Sequence, residues 1–458
     1  MFLEKIKSEG LSHLSYLIGD QGKAAVIDPR RDCEIYMETA YRNGCRITHV
    51  FETHRNEDYA IGSRELAELT GAEIYHGANL PFKYGRAARE GDVFNLGNIG
   101  LKILETPGHT MESISVILYD TKSGEDPLGI FTGDALFIGD VGRTDFFPDK
   151  KEKMAGLLYD SIFKKILPLG DQVIIYPAHG AGSICGSQMS DREFSTIGYE
   201  RLNNTLLQIK DKNEFIKTKV NEEHALPPYF SRMEEYNLSG PPVLGQIHLP
   251  RPVNAHEFEK MYNQGMQILD IRSAQSFAGV YIPGSISIPL NMVPLYAGWF
   301  LTYNADIGIV SDSTDDLKKA VTYLARIGFD RVSGFLHKAL HQWEIQGKYF
   351  ESIPAVYAGE IQRRISNNEE FTLLDVRTRS EFSKEHLPGA KHIFLGELGK
   401  RAQELNTEES LTTFCGSGQR AIIAASILKR LGFKKVENCF GSIQACSKGV
   451  CEIISDQD

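Results

Sequence analysis

A chain of 458 residues is too long for one compact core, and usual domain sizes divide it into about three or four units. Its composition, 42% hydrophobic and 24% charged, is that of a globular protein. A net charge of −10 argues against nucleic acid or an anionic membrane as the main partner, so any anionic substrate must meet local positive charge or backbone N–H groups.

The first twenty residues, MFLEKIKSEGLSHLSYLIGD, hold no unbroken apolar run, which predicts no signal peptide. No stretch approaches the ~18 apolar residues of a membrane span. The seven cysteines are odd in number and scattered, a pattern that fits reduced thiols in the cytoplasm better than a disulfide framework. From there to about residue 200, short apolar runs alternate with turn signals: SYLI, AAVID, THVFET, AEIY, LKILET, ISVILYD, GIFTGD and QVIIYPAHG. Helical patterns lie between them at Cys33–Asn43 and Ser63–Leu69. The chain then turns helical and polar up to Phe230, and residues 233–251, broken by Pro241, Pro242 and Pro250, read as a linker.

The last two hundred residues repeat. LDIRSAQSFAGVYIPGS, from Leu269, matches LDVRTRSEFSKEHLPGA, from Leu374, and YLARIGFDRV matches ILKRLGFKKV at nearly the same spacing. A period of about 105 residues is too long for a solenoid and predicts a duplicated domain. Each copy reads strand, Asp-x-Arg turn, helix, strand, turn, helix, which implies a small α/β unit with a parallel sheet. The expected units are 1–232, a linker over 233–251, 252–350 and 351–458.

Histidines and aspartates in the first unit fall where chemistry would be placed. His54 follows THVFET, His109 follows LKILET in PGHT, Asp134 ends GIFTGD, and His179 ends QVIIYPAHG. Each sits just past the C-terminal end of a buried-looking strand, where α/β sheets place their sites. Any one of them alone reads as a capping or core-satisfying polar group. Four together point to a metal site.

On these residues the first 230 or so positions resemble the metallo-β-lactamase superfamily, which implies an αββα sandwich. That family's first motif is H-x-H-x-D-H, and here it stands as His54-Arg55-Asn56-Glu57-Asp58-Tyr59. Asn56 and Tyr59 replace two imidazoles, which weakens both positions of a two-zinc hydrolase. His54, His109 and Asp134 remain, two imidazoles and one carboxylate, the set of the non-haem Fe(II) facial triad. The persulfide dioxygenases of this superfamily use the corresponding three positions. The resemblance therefore implies one Fe(II) per chain, with zinc as the alternative. It makes Asp58 and His179 hydrogen-bond partners of the ligands rather than ligands. Arg143, in GDVGRTDF, is implied either at the substrate channel or in a structural turn with Asp145. Cys185 stands where fusions of such dioxygenases with rhodaneses also carry a cysteine, as a buried inert thiol or a sulfur relay.

In the second copy, TFCGSGQRA resembles the active loop of rhodaneses, with four residues between Cys415 and Arg420. A strand, a Gly-rich loop and a helix starting near Ala421 put the thiol in a cradle of backbone N–H groups, which favours an anionic persulfide. Cys415 and Arg420 are the expected catalytic pair, and Gly416, Ser417, Gly418 and Gln419 the expected substrate cradle. Asp375 and Arg377 match a structural turn. In the first copy Ser311 and Asp316 face Cys415 and Arg420, and Asp312 and Asp315 make the loop mouth negative, so this copy is expected to be inactive.

These resemblances imply an enzyme that oxidises a small-molecule persulfide with O2 to thiol and sulfite, joined to thiosulfate sulfurtransfer at Cys415. Its partners would be persulfide, thiosulfate or sulfite and O2, with no nucleic acid and no membrane; homo-oligomerisation is left open. Two other classes stay open, a zinc thioester hydrolase of the glyoxalase II type and a non-catalytic sulfur carrier.

Overall fold

The computed structural model describes residues 1–456 except 184, 187 and 337. It divides into two compact units, Met1–Ile247 with Ala325–Gly328, and His248–Leu324 with Phe329–Asp458.

The first unit holds two six-stranded sheets. One runs in the order Phe2–Ser8, His13–Asp20, Lys23–Ile27, Arg46–Glu52, Glu73–Gly77, Arg86–Ala88, antiparallel over its first three strands and parallel after them. The other runs Ser195–Thr196, Ile174–Pro177, Pro127–Gly133, Ile114–Asp120, Ile99–Glu105, Val93–Leu96, antiparallel except where Pro127–Gly133 pairs with Ile174–Pro177. The two-residue period of a strand sends alternate side chains to opposite faces. Tyr16, Ile18, Ala25, Ile27 and Phe51 therefore face Leu101, Ile103, Val116, Leu118 and Phe131 across the gap between the sheets. Their neighbours Leu17, Ala24, Val26 and Val50 pack outward against Tyr36, Ala40 and Leu66 of helices Glu34–Arg42 and Ser63–Thr70. On the far side Ile117, Ile130 and Ile175 meet Leu158 of helix Lys151–Asp160. Sheets buried on both faces and coated by helices make the expected αββα sandwich.

The segment read as a linker from residue 233 is helical as far as Ser239. Met233 on this helix is fully buried. Asn237 donates to the carbonyls of Asn56 at 2.5 Å and Tyr59 at 2.7 Å, so the helix belongs to the first unit's packing.

The second unit holds two five-stranded, wholly parallel sheets of the same topology. They run Pro252–Val253, Val332–Leu336, Ile307–Val310, Gln267–Asp270, Ile286–Ser287, and Ala355–Tyr357, Val436–Phe440, Leu411–Phe414, Thr372–Asp375, Lys391–His392. The Asp-x-Arg turns are superimposable in their bonding. Arg272 reaches Asp270 at 2.6 Å and the Val280 carbonyl at 2.7 Å; Arg377 reaches Asp375 at 2.7 Å and the Glu385 carbonyl at 2.6 Å. These arginines are buried and tie strand to turn, a structural role in both copies.

One expectation about cysteine is corrected. Cys446 and Cys451 form a disulfide, because a tight helical turn brings their Cα atoms to 4.6 Å, within bridging range. The other five cysteines are free thiols.

Candidate functional site

The strand ends of the first unit converge as the sequence implies. Gly133, with φ of +52°, turns the chain beside Thr53, whose Oγ1 would lie 2.6 Å from a Cβ at that position; only glycine fits between the two strand ends. His54, His109, Asp134 and His179 are all at most 2% exposed. Asp134 Oδ2 lies 3.8 Å from His54 Nε2 and 3.5 Å from His109 Nε2. The opposite nitrogen of each ring is anchored. His54 Nδ1 pairs with Thr53 Oγ1 at 2.9 Å, and Thr53 donates in turn to Asp28; His109 Nδ1 donates to the Arg143 carbonyl at 3.0 Å. Both Nε2 atoms are buried without an aligned hydrogen-bond partner, the arrangement that ligand imidazoles need.

Burial pushes His54 down to about 3, so its ring is neutral. Burial would raise the Asp134 carboxyl, but His179 and His54 beside it hold it below the usual carboxylate range. Two imidazole lone pairs and an ionised carboxylate face one point, and this set fits a divalent metal.

Asp58 and His179 stand behind that set. His179 Nδ1 meets Asp134 Oδ1 at 2.8 Å, and its Nε2 approaches Asp58 Oδ2 to 2.9 Å. Burial would lower His179, yet Asp134 and Asp58 keep it well above its ordinary value. His179 Nδ1 also lies 3.0 Å from Asp134 Oδ2, the oxygen that faces His54 and His109. Tyr59 is fully buried and packs on His13 with ring centroids 4.1 Å apart, filling apolar space where the motif's last histidine would stand. Asn56 turns its amide to the His54 carbonyl at 3.2 Å.

Two further predicted residues find definite places. The Arg143 guanidinium is fully buried in a bidentate pair with Asp145 at 2.7 and 2.8 Å. Cys185 is buried with its Sγ 3.6 Å from Glu57 Oε1, and burial pushes its thiol well up. A cavity of about 610 Å³ opens against His13 and His179, lined also by Tyr16, Tyr176 and Phe194. Its lysines, Lys5 and Lys7, are already paired with Glu193.

Sequence reasoning missed three residues of this region: Glu57, which lies against His109; Glu112, which accepts from the Arg55 N–H at 2.9 Å; and Asn237, which pins the 56–59 loop. Glu57 and Glu112 were visible only as polar letters, since one sequence gives no side-chain direction there.

In the second unit, Cys415 is buried at the end of strand Leu411–Phe414. Its sulfur accepts from the N–H groups of Gly418 at 3.1 Å and Ala421 at 3.4 Å. Gly418, with φ of +100°, starts the helix at Gln419, two residues earlier than expected. The loop is zipped to its neighbour: Gly441, Ile443 and Gln444 donate to the carbonyls of Ser417, Cys415 and Gly416. Arg420 lies over Gly416 and pairs with Glu381 at 2.6 and 2.7 Å. Burial would raise the Glu381 carboxyl, but the guanidinium holds it at about 2. Gln419 turns its side chain to Asn291 of the first copy at 3.2 Å. From that same copy Tyr296 stands near Arg420, and burial raises its hydroxyl above the ordinary value. In the first copy Ser311 Oγ donates to the Ser313 carbonyl at 2.8 Å, and Asp312 and Asp315 are exposed around it.

Comparison with known proteins agrees with both halves. The Metallo-beta-lactamase superfamily matches residues 9–179, and Rhodanese-like domain matches residues 254–346 and 358–448. Mouse mitochondrial persulfide dioxygenase ETHE1 is 31% identical over 221 residues, 45% of this chain and 76% of that protein. Hydroxyacylglutathione hydrolase GloC of Haemophilus influenzae is 29% identical over 219 residues, 43% of this chain and 92% of that protein. The sulfur carrier protein YrkF of Bacillus subtilis is 42% identical over 87 residues, 19% of this chain, and the chain spans only 47% of its length. A crystal structure of a metallo-beta-lactamase from Staphylococcus aureus covers 73% of this chain and 98% of its own, with 34% identity and a TM-score of 0.66. The chain belongs to the metallo-β-lactamase superfamily, as a homologue of the persulfide dioxygenases that carries tandem rhodanese-like domains.

Proposed function

We propose that the first unit is a non-haem Fe(II) persulfide dioxygenase holding one metal per chain. It takes a low-molecular-weight thiol persulfide, O2 and water to thiol and sulfite. The observation that carries this reading is the inward-facing set of His54 Nε2, His109 Nε2 and Asp134 Oδ2, at 3.5 and 3.8 Å, beside an Asn56 and a Tyr59 that replace the histidines of a two-metal site. Ferrous iron, when bound, would supply open coordination positions for oxygen chemistry, while the four electrons that O2 takes come from the outer sulfur of the persulfide. The chain's own residues orient and insulate. Thr53 and the Arg143 carbonyl fix the two rings, and His179 fixes the carboxylate.

The second copy of the repeat is the sulfurtransferase in this reading. The Cys415 thiolate attacks the outer sulfur of thiosulfate, the S–S bond breaks, sulfite leaves, and Cys415 keeps the sulfur as a persulfide. An acceptor thiol then takes that sulfur. The Gly418 and Ala421 N–H groups stabilise the negative sulfur at each stage. A covalent link between the two activities raises the local concentration of their shared sulfur intermediates. Five free cysteines support a reducing, cytoplasmic setting.

Metal analysis of anaerobically purified protein, combined with oxygen uptake on a panel of small persulfides, tests the reading. Iron near one per chain and persulfide-dependent uptake are expected. Two zinc ions per chain with thioester hydrolysis would sink it in favour of the hydrolase.

A further inference from the structure

We propose that Glu57 is a fourth protein ligand of the metal centre formed by His54, His109 and Asp134. The inference rests on the metal-centre part of the functional reading and not on the identity of the substrate.

Glu57 occupies an otherwise unremarked position in the Arg55–Tyr59 loop, yet it is 1% exposed. Its Oε1 lies 3.2 Å from His109 Nε2, and its Oε2 is buried with no hydrogen-bond partner. A carboxylate taken out of water without full pairing costs several kcal/mol, and a bound cation is the usual compensation. The donor atoms of His54, Glu57 and His109 lie within 4.8 Å of one another, as do those of Glu57, Asp134 and Cys185. Glu57 thus touches both the histidine side and the aspartate side of the same point.

The loop explains why the chain puts an acid here. Asn56, at the position of the motif's second histidine, has turned its amide back to the His54 carbonyl. The very next residue brings a carboxylate to the centre. Asn237 holds the carbonyls of Asn56 and Tyr59 on either side, so the intervening backbone is fixed with Glu57 inward. The loop has exchanged a neutral nitrogen donor for an anionic oxygen donor one residue along. Two imidazoles and two carboxylates cancel the charge of a divalent ion, where the three-residue set leaves one positive charge. About two coordination positions are left open, enough for a persulfide sulfur and O2. Hard oxygen donors also move the centre's preference away from zinc.

Cobalt(II) titrated into the metal-free full-length protein tests this without any substrate. Glu57→Gln keeps the side chain's size and removes its charge. It should bind cobalt at least tenfold more weakly, and its fully loaded form should show shifted visible bands, because a ligand has changed. A glutamate that merely braces His109 would alter affinity and leave the loaded spectrum as in the wild type. That unchanged spectrum overturns the proposal, as does wild-type affinity in the variant or a wild-type protein that takes up neither cobalt nor ferrous iron. Should Glu57→Gln fail to fold, Glu57→Asp, which withdraws the carboxylate by one methylene, gives the same reading through the same bands. A cobalt result as expected in a protein that oxidises no persulfide would fell the functional reading and leave this one standing.

Discussion

Asp134 serves two tasks: His179 Nδ1 holds the carboxylate, at 2.8 Å from Oδ1 and 3.0 Å from Oδ2, and Oδ2 faces His54 and His109. Removing either task has a distinct outcome. Asp134→Ala should release the metal and end oxygen uptake, while thiosulfate-to-thiol transfer continues at Cys415. His179→Ala should retain the ligand but lower metal affinity by about 10–100-fold, read by equilibrium titration. Cys415→Ser should do the reverse of Asp134→Ala. It should abolish all thiocyanate formation from thiosulfate and cyanide, because Ser311 in the other copy cannot carry the sulfur, yet leave oxygen uptake on supplied persulfide. A Cys415→Ser protein that is iron-replete and fails to oxidise persulfide would mean instead that Cys415 delivers the substrate. Glu381 gives a pH signature. Its carboxyl is held at about 2 by Arg420 against an ordinary value of about 4.3, so its contribution to stability is complete above that ordinary value. The contribution fades as pH falls through about 2. The melting-temperature gap between wild type and Glu381→Gln should therefore narrow steadily from pH 5 to pH 3 and close only below about pH 2. A constant gap across that range would refute the assignment.

At the scale of elements, the helix Phe230–Ser239 reaches the site loop through Asn237 and through Glu234, which pairs with Arg55 at 3.2 Å. Asn237→Ala leaves two buried carbonyls, of Asn56 and Tyr59, without their donor. It should cost about 1–3 kcal/mol of unfolding free energy and loosen the 56–59 loop, measurable as a lower denaturation midpoint together with a lower metal occupancy. The same helix marks where sequence reading ran out. The eight apolar runs of the first unit announced their strands, because sheets buried on both faces have strand-length hydrophobic runs that turn residues delimit. His54, His109, Asp134 and His179 were legible for the same reason, as the polar letters that end those runs. Strand Phe2–Ser8 was not, since Glu4, Lys5 and Lys7 dilute an edge strand's pattern. Asn237 was illegible too: its partner Tyr59 is 178 positions away, and proline spacing after it reads as linker. Glu57 lay inside a recognised motif at a variable letter, where only the loop's fold tells inward from outward.

On the scale of a whole unit, the two copies of the repeat are joined beside the Cys415 loop of the second. Ser287 N–H donates to Ser426 at 3.1 Å, Arg430 donates to the Gly284 carbonyl at 2.7 Å, and Trp299 meets Phe394 edge-on at 5.7 Å. Tyr296 and Asn291 of the first copy reach Arg420 and Gln419 of the second. Tyr296→Phe should leave turnover at saturating thiosulfate close to wild type and raise KM a few-fold, because the Arg420 guanidinium loses a polar neighbour. A KM equal to wild type would show that Glu381 alone positions it. After gene duplication a copy with serine where its twin has cysteine is usually free to change. Here change has one limit. Change at Ser311, Asp312 or Asp316 should leave the second copy untouched, whereas drift in the helix Val293–Phe300, which carries Tyr296 beside Arg420, should be felt there. Its sequence should therefore be held constant on that helix and wander at the mouth of its own Ser311 loop, and a gene that deleted the copy outright would leave the Cys415 loop with one wall missing.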